Sequence, residues 1–488
     1  MACDSSQRRQ LGAAIKIFLP PHIYTKQVGA WRAPLRSTKG ALELKKRIAA
    51  GGLALVGSIS IPALAAEPLA SDSPWLTGDW SGKRNELSEQ GFTFGLFYVN
   101  ELATNVRGGY DQKTALETSD QTTALFNYDL SKKLGVDGEF SLVVTNRNNH
   151  ELLTNTRVND PRTGSLPNLS QEVWGFGSVT RLTRLTYQQN FFDKQLSLRV
   201  GKMTPTEEFF PSSCEFQSLV NCGTVPGISN IWYGWPISTW AATTTWHMTP
   251  DWYVKFGVYQ QNPQTTTNDR AISLSDRGTE GQIYPVLLGW RPYWGERKLA
   301  GNYFIGAYYS NVDAPDVAAG AAGGMEASNP SAGFKTRHGK RAAWAFFEQQ
   351  LTGPGGDSKQ GLRAFVNAEI NDKETSVLHY GYGAGLYYNG LFDNRPDDML
   401  GFASTAIKIN KDWTRNRDLT NQLAGVDDYD DPRYLPLGDT EVSTELFYRY
   451  QATRWLYLQP NIQYYHAPGG VDKVPDATVL GLRFNISF

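Results

Sequence analysis

The segment Thr478-Val-Leu-Gly-Leu-Arg-Phe-Asn-Ile-Ser-Phe488 alternates in polarity almost without exception. Thr478, Leu480, Leu482, Phe484, Ile486 and Phe488 fall on one side of an extended chain; Val479, Gly481, Arg483, Asn485 and Ser487 fall on the other. Side chains alternate faces along a strand, so this segment has one greasy face and one largely polar face. A soluble β-sandwich accommodates that pattern. Its length, about eleven residues, also suits a tilted strand crossing a bilayer.

The rest of the chain repeats the texture. Strands are expected over 92–106, 122–134, 138–147, 180–191, 196–203, 239–248, 252–260, 284–293, 301–310, 341–351, 361–371, 378–388, 398–409, 440–452, 455–465 and 478–488. That is about sixteen, an even number, as single-chain outer-membrane barrels require. Gly135-Val-Asp137, Asp193-Lys194, Thr249-Pro-Asp251 and Thr453-Arg454 read as tight turns. The links 148–179, 204–238, 261–283, 311–340 and 410–439 are long. Short turns on one rim and long loops on the other are what a barrel in a membrane shows. With 92–106 starting at the periplasmic rim, every short turn lands in the periplasm. The terminal aromatic, Phe488, resembles the C-terminal signature of bacterial outer-membrane barrels.

Composition agrees. The chain is 12% aromatic, with 14 Trp and 47 Gly, yet its mean hydropathy is −0.41. A helical membrane protein would be strongly apolar. A barrel need not be, because half its strand residues face a wet lumen. The net charge of −1 hides an asymmetry: residues 1–47 carry 10 basic and 2 acidic residues, leaving 37 basic and 46 acidic in the remainder. The basic patch that nucleic-acid binding needs is missing from that remainder.

Lys45-Lys46-Arg47, the small apolar run to Ile61 and Pro62-Ala-Leu-Ala-Ala66 read as a signal peptide of about 44–65, cleaved at Ala65–Ala66. Residues 1–65 are therefore a targeting region, and the segment upstream of 44 is expected to precede the true translation start. Residues 66–91 form an N-terminal periplasmic segment, and 92–488 the barrel. Within 66–91, Asp79 or Ser81 is expected to cap a short helix ending at Gly91. Outside the targeting region Cys214 and Cys222 form an even pair in an exported chain, which favours a disulfide. A two-Cys metal site is the weaker reading, since no His stands at ligand spacing.

Register follows from energetics. Slipping 478–488 by one residue would turn Arg483 toward lipid, at about 2–4 kcal/mol near the midplane. On 440–452, Val442, Thr444, Leu446, Tyr448 and Tyr450 are read outward, with Glu441, Glu445 and Arg449 inward. On 361–371, Leu362, Ala364, Val366, Ala368 and Ile370 are read outward, with Arg363, Asn367 and Glu369 inward. On 455–465, Leu456, Leu458 and Ile462 oppose Gln459, Asn461 and Gln463. Strands 341–351 and 398–409 give no clear face.

Several segments resemble the carbohydrate-selective porins of the OprB type. They are Trp75-Leu-Thr-Gly-Asp-Trp-Ser-Gly-Lys-Arg84, Phe97-Tyr-Val-Asn-Glu-Leu-Ala-Thr-Asn-Val-Arg-Gly-Gly109, Gln171-Glu-Val-Trp174, the Cys214/Cys222 loop, Trp235-Pro-Ile-Ser-Thr-Trp240 and Leu480-Gly-Leu-Arg-Phe484. They span roughly residues 75–488; one departure is Ser81, where the family more often has Gly. The resemblance implies an all-β, transmembrane antiparallel barrel of sixteen strands, in the bacterial outer membrane, passing glucose and related sugars by diffusion. It also implies that inward charges and infolded loops make the constriction.

Strand parity puts Glu101, Arg147, Arg184, Arg199, Arg363, Glu369, Glu445 and Arg449 in the lumen, and Glu172 and Trp174 end the second long loop. Arg147 and Glu172 head the expected constriction, then Trp174, Arg184 and Arg199. Arg offers forked donors to sugar hydroxyls, Glu acceptors and Trp a stacking face. The plainer reading is a charge ladder that keeps the barrel round without selecting anything. Asp427-Asp428-Tyr-Asp430-Asp431 offers oxygen ligands for Ca²⁺, but such runs are more often simply solvated. Trp252, Trp290, Trp455 and Tyr464 suit an interfacial belt. No cofactor is expected. The partners are permeating sugars and outer-membrane lipid, with the barrel either a monomer or a homo-oligomer such as a trimer. Competing readings are a porin for organic acids, an outer-membrane enzyme using a Ser/His pair (His247, His379 or His466), and a secreted sandwich or propeller lectin. H-E-x-x-H, G-x-S-x-G and Walker patterns are all missing from the sequence.

Overall fold

A computed structural model describes residues 68–149, 151–164, 170–210, 214–222, 233–356 and 358–488. Residues 1–65, read from the sequence as a targeting region with a signal segment and cleavage site, lie outside the described residues. Sixteen strands make the wall. The first eight are β1 (Phe92–Arg107), β2 (Leu116–Asp129), β3 (Gly138–Asn149), β4 (Thr180–Phe191), β5 (Leu196–Met203), β6 (Thr239–His247), β7 (Trp252–Gln261) and β8 (Gly281–Trp290). The others are β9 (Leu299–Gly320), β10 (Phe334–Gln350), β11 (Gly361–Asn371), β12 (Leu378–Asn389), β13 (Met399–Ile409), β14 (Thr440–Thr453), β15 (Leu456–His466) and β16 (Ala477–Ser487). Each pairs antiparallel with its chain neighbours, and β1 pairs with β16 from Phe97↔Ser487 to Arg107↔Thr478, closing the sheet. A two-residue ribbon, Tyr293–Trp294, extends the pairing at the start of β9.

Closure removes every sheet edge, the one way strands can cross hydrocarbon with their backbone groups satisfied. The outer face carries Leu96, Leu198, Phe256, Ile305, Val366, Ile370, Phe402, Leu446, Ile462 and Leu480, all exposed from the protein's side. At one rim Trp252 stacks on Trp290 with centroids 5.1 Å apart, and Trp294 and Tyr303 pack against Trp290. This is an aromatic girdle.

Boundaries differ from the expectation in places. β2 starts at Leu116 and ends at Asp129, because 131–134 form a helical turn, α2 (Ser131–Leu134), closed by Gly135 at φ 67°. The β9–β10 hairpin runs beyond the expected 310 and 341 to Gly320 and Phe334. The N-terminal helix α1 (Lys83–Glu89) is capped by neither Asp79 nor Ser81: its N-cap is Gly82, with no side-chain cap bond. Trp80, Ser81 and Gly82 all have positive φ, 57°, 58° and 84°. That left-handed run uses up the cap position, and it explains why glycine suits position 81.

The segment before β1 straps the seam. Leu76 N donates to Ser487 O at 2.7 Å, Arg454 N to Ser71 O at 3.0 Å and Trp455 Nε1 to Ala70 O at 3.1 Å. Arg84 lies 4.4 Å from the ring centroid of Trp75 and 4.3 Å from that of Trp80, and donates to Phe488 O at 3.0 Å.

The core lies inside the barrel. Phe304, Phe346, Phe365 and Tyr387 stack in sequence across β9 to β12, with centroids 5.2, 5.7 and 5.3 Å apart. Loop L3 (204–238) covers them: Phe210 meets Phe304 edge-on at 5.4 Å, and Phe216 meets Phe447 of β14 at 5.1 Å. Glycines make room for the rings. A Cβ at Gly385 would lie 2.3 Å from Phe365, and one at Gly401 2.3 Å from Phe447. This row explains why 341–351 gave no face: Trp344 and Phe346 point inward while Ala345 and Phe347 point out. On β13, Ile407 and Ile409 are likewise inward, packed with Val220 and Leu378. Phe346→Ala is expected to lower stability by about 3–5 kcal/mol, read from denaturant unfolding of the refolded barrel in detergent; a loss under about 1 kcal/mol would show that L3 does not rest on this row.

Candidate functional site: the lumen constriction

Two loops from the same rim fold inward. L2 (150–179) returns along the wall of β1 to β4, and L3 lies over β9 to β15. Thr204 caps the first turn of L3, α3 (Pro205–Phe209), with Pro at the first helical position. The disulfide Cys214–Cys222 closes the next turn, with Cα atoms 4.6 Å apart.

Between the loops stands Arg483 of β16. Its Nη1 donates to Phe216 O of L3 at 3.0 Å, its Nη2 to Glu172 Oε2 of L2 at 3.2 Å, and its Nε lies 3.6 Å from Glu101 Oε1 of β1. Glu101 is fully buried, and its Oε2 accepts from Val173 N at 3.0 Å. Gln171 Nε2 donates to Glu101 O at 2.9 Å. Gln463 Nε2 of β15 donates to Ser170 O at 3.1 Å. The L2 segment 170–174 is thus bonded to three strands around the seam.

Arg147 of β3 holds the same segment from the other side. Its Nε donates to Gln121 Oε1 at 2.8 Å and its Nη1 to Trp174 O at 2.9 Å. Gln121 Oε1 also accepts from Trp235 Nε1 at 3.1 Å. Among the described residues no carboxylate lies within ion-pair distance of Arg147.

The buried Arg181 and Lys202 donate to backbone carbonyls, of Thr265, Thr266 and Ser273 among them, and the part-exposed lumen arginines are paired. Arg449 Nη1 of β14 meets Glu215 Oε2 at 2.7 Å and its guanidinium lies 4.4 Å from the ring centroid of Tyr457. Arg363 meets Glu348 at 3.5 Å, and Lys255 meets Glu208 at 2.9 Å. Arg184 pairs with Glu207, and Arg199 with Glu208. Glu445 is fully buried; its oxygens accept from Gln217 N at 3.0 Å and Ser218 N at 2.7 Å. Glu369 is buried on β11, within 3.5 Å of Asn371 Nδ2.

All eight parity-derived positions therefore face the lumen, in two populations. Arg184, Arg199, Arg363 and Arg449 keep 12–24% of their side chains exposed, as does Glu172 at 21%. Glu101, Glu369 and Glu445 were expected beside them; the structure buries all three, Glu101 against L2 and Glu445 against L3. Arg147 is nearly buried too, at 3%. Reasoning from sequence missed Glu207, Glu208, Glu215, Lys255 and Glu348 as partners and Arg483 as the joint between loops. Thr204-Pro-Thr-Glu207 carried a readable cap signal; Glu215 carried none, since a loop has no period.

At the rim, L2 and L7 (410–439) interlock. Arg162 donates to the carbonyls of Tyr429 and Asp431 at 2.9 Å each, and Arg417 of α4 (Lys411–Ala424) to Arg162 O at 3.0 Å. Hydrogen bonds that Arg162 donates to Asp160 hold its guanidinium well above its ordinary value, whereas burial pulls Arg417 down to about 10. The acidic run turns on its own loop: Asp428 Oδ1 accepts from Asp430 N, and Arg433 holds Asp431 down at about 2. Among the described residues no group of three His, Cys, Asp or Glu is arranged to hold a metal.

An edgeless sixteen-stranded wall with an apolar belt, narrowed inside by two loops and ringed with paired charges, is a diffusion porin of the bacterial outer membrane. It is a channel rather than an enzyme. Residues 113–488 match the carbohydrate-selective porin, OprB family. Porin B of Pseudomonas aeruginosa is 40% identical over 446 residues, covering 90% of this chain and 97% of that protein. A protein named putative porin QuiX, of Acinetobacter baylyi, is 35% identical over 427 residues, covering 86% and 94%. A high-pH structure of Pseudomonas putida OprB superposes with a TM-score of 0.83 at 40% identity, covering 86% of this chain and all of that one. The chain belongs to the OprB family of carbohydrate-selective porins, and it is an outer-membrane sugar porin. Replacing Cys214 and Cys222 together by Ser is expected to lower stability by about 2.5 kcal/mol, from the short loop they close. Unfolding midpoints with and without reductant measure this; a midpoint insensitive to both treatments would contradict it.

Proposed function

We propose that this porin passes neutral monosaccharides, glucose among them, by passive diffusion, with Glu172, Trp174, Arg184, Arg199, Arg363 and Arg449 along the path and Arg147 shaping it. One observation carries the reading: Arg184, Arg199, Arg363, Arg449 and Arg483 each stand beside a carboxylate. A paired lumen has donors and acceptors for hydroxyls but little net field with which to retain an ion. Binding weak enough to let go is what a diffusion channel needs. A path for organic acids would call for guanidinium groups without carboxylate partners; Arg147 and Arg181 fit that description, but both are buried, Arg147 spent on Gln121 and Trp174 O and Arg181 on the carbonyls of Phe176, Thr265 and Thr266.

The belt contacts outer-membrane lipid, and one copy is a complete conduit because β1 and β16 close the sheet within one chain. Export to that membrane is assigned to residues 44–65, with cleavage at Ala65–Ala66. An intact mass matching Ala66 as the first residue of the purified protein checks this, and a mature chain retaining Lys45-Lys46-Arg47 would contradict it.

In planar bilayers glucose is expected to reduce ion current through the pore. Arg147→Ala frees the L2 return, and Glu172→Ala removes a lumen acceptor. Each is expected to raise conductance and weaken glucose block by roughly three- to tenfold, the equivalent of one hydrogen bond. Unchanged conductance and block in both variants would remove them from the constriction.

A further inference from the structure

We infer that Glu445 is a positioning residue, which sets the bore by holding the tip of L3 so that the Glu215–Arg449 pair stands in the solute path. The inference rests on the sugar-pore reading and adds two residues to it: Glu215 as a determinant of specificity and Glu445 as its support.

The geometry is a clamp. Glu445 sits on β14 with no exposed surface, so no solute reaches it. Both its oxygens are used, one by Gln217 N at 3.0 Å and the other by Ser218 N at 2.7 Å. A carboxylate taking two successive backbone N–H groups fixes the orientation of that turn, and charged acceptors make the stronger hydrogen bonds. Next along the turn, Phe216 O accepts from Arg483 Nη1 at 3.0 Å. The residue before it is Glu215. Its carbonyl accepts from Gln459 Nε2 at 2.8 Å, and its carboxylate meets Arg449 two positions along β14 from Phe447. Gln217 itself donates through Nε2 to Leu102 O at 2.9 Å and accepts from Asn461 Nδ2 at 2.8 Å. Backbone and side chains from 215 to 218 are therefore pinned to β1, β14, β15 and β16, and the Cys214–Cys222 disulfide brackets the same run. In this run Glu215 keeps a solvent-facing carboxylate, 21% exposed, beside Arg449 at 12%. A guanidinium and a carboxylate side by side in the lumen present donor and acceptor together, as a vicinal diol requires.

Glu445→Gln tests the clamp, because its amide NH₂ replaces one acceptor with a donor facing a backbone N–H. In a barrel shown folded by heat-modifiable gel mobility, single-channel noise and conductance are expected to rise. The glucose concentration for half block is expected to rise roughly threefold, the equivalent of part of a charged hydrogen bond. Glu445→Asp keeps the carboxylate on a shorter stem and is expected to fall between wild type and Glu445→Gln. A double-mutant cycle with Glu215→Ala separates positioning from a general effect on the wall: Glu215→Ala weakens block in the wild type and adds nothing in the Glu445→Gln background. Wild-type noise and block in Glu445→Gln, or strictly additive effects in the cycle, would overturn the inference. Absence of glucose block in the unmutated channel would instead count against the sugar reading, and the noise comparison would still judge the clamp.

Discussion

Both infolded loops meet the barrel seam at one guanidinium. Arg483 stands on β16, the strand whose pairing with β1 closes the barrel, and it reaches Glu101 on the wall, Glu172 in L2 and Phe216 O in L3. A single side chain therefore ties the seam to both infolded loops. Only 10% of it is exposed. A buried ion group is a poor source of net stability, since desolvation offsets most of the attraction. Its partners are nonetheless directional, and a planar fork held by two carboxylates and a carbonyl admits few arrangements of the loops. Specificity of arrangement is what the pore draws from it.

The lumen is divided by chemistry. Under L3 the wall is aromatic, and Phe304, Phe346, Phe365 and Tyr387 are covered rather than offered to solute. Under L2 the wall is polar: Arg147 and Gln463 donate to L2 carbonyls, and Gln171 of L2 donates to Glu101 O. The 170–174 segment of L2 is thus held by hydrogen bonds, and L3 by aromatic packing together with the hydrogen bonds of its 215–218 tip. On the proposed path, a sugar passing between them would meet carboxylates and guanidinium groups already matched in sign.

Much of the fold was legible in sequence because side-chain direction has period two. Arg483, Arg363 and Arg449 could be placed inward on that basis alone, and the structure puts them there. The two strands that resisted, around Trp344 and Ile407, did so because the loop they carry makes the inner face apolar as well. Parity says which way a side chain points but not what lies over it, and Glu101 and Glu445 therefore read like Arg449 although L2 and L3 cover them. Glu215 was invisible for a different reason: its partner is 234 residues away on β14, and nothing local encodes that meeting. The cap of α1 was misread because Asp79 and Ser81 are good capping residues in isolation, whereas three successive positive-φ residues place the helix start at Gly82.

The most direct test of a charge-paired sugar path is to compare two solutes of nearly equal size that differ in charge. Proteoliposomes containing the purified porin would be challenged with isosmotic glucose and with gluconate, and initial swelling rates recorded. A path lined by neutralised charges predicts faster swelling in glucose. Equal rates, or faster entry of gluconate, would contradict it and would point instead to an anion-conducting lumen.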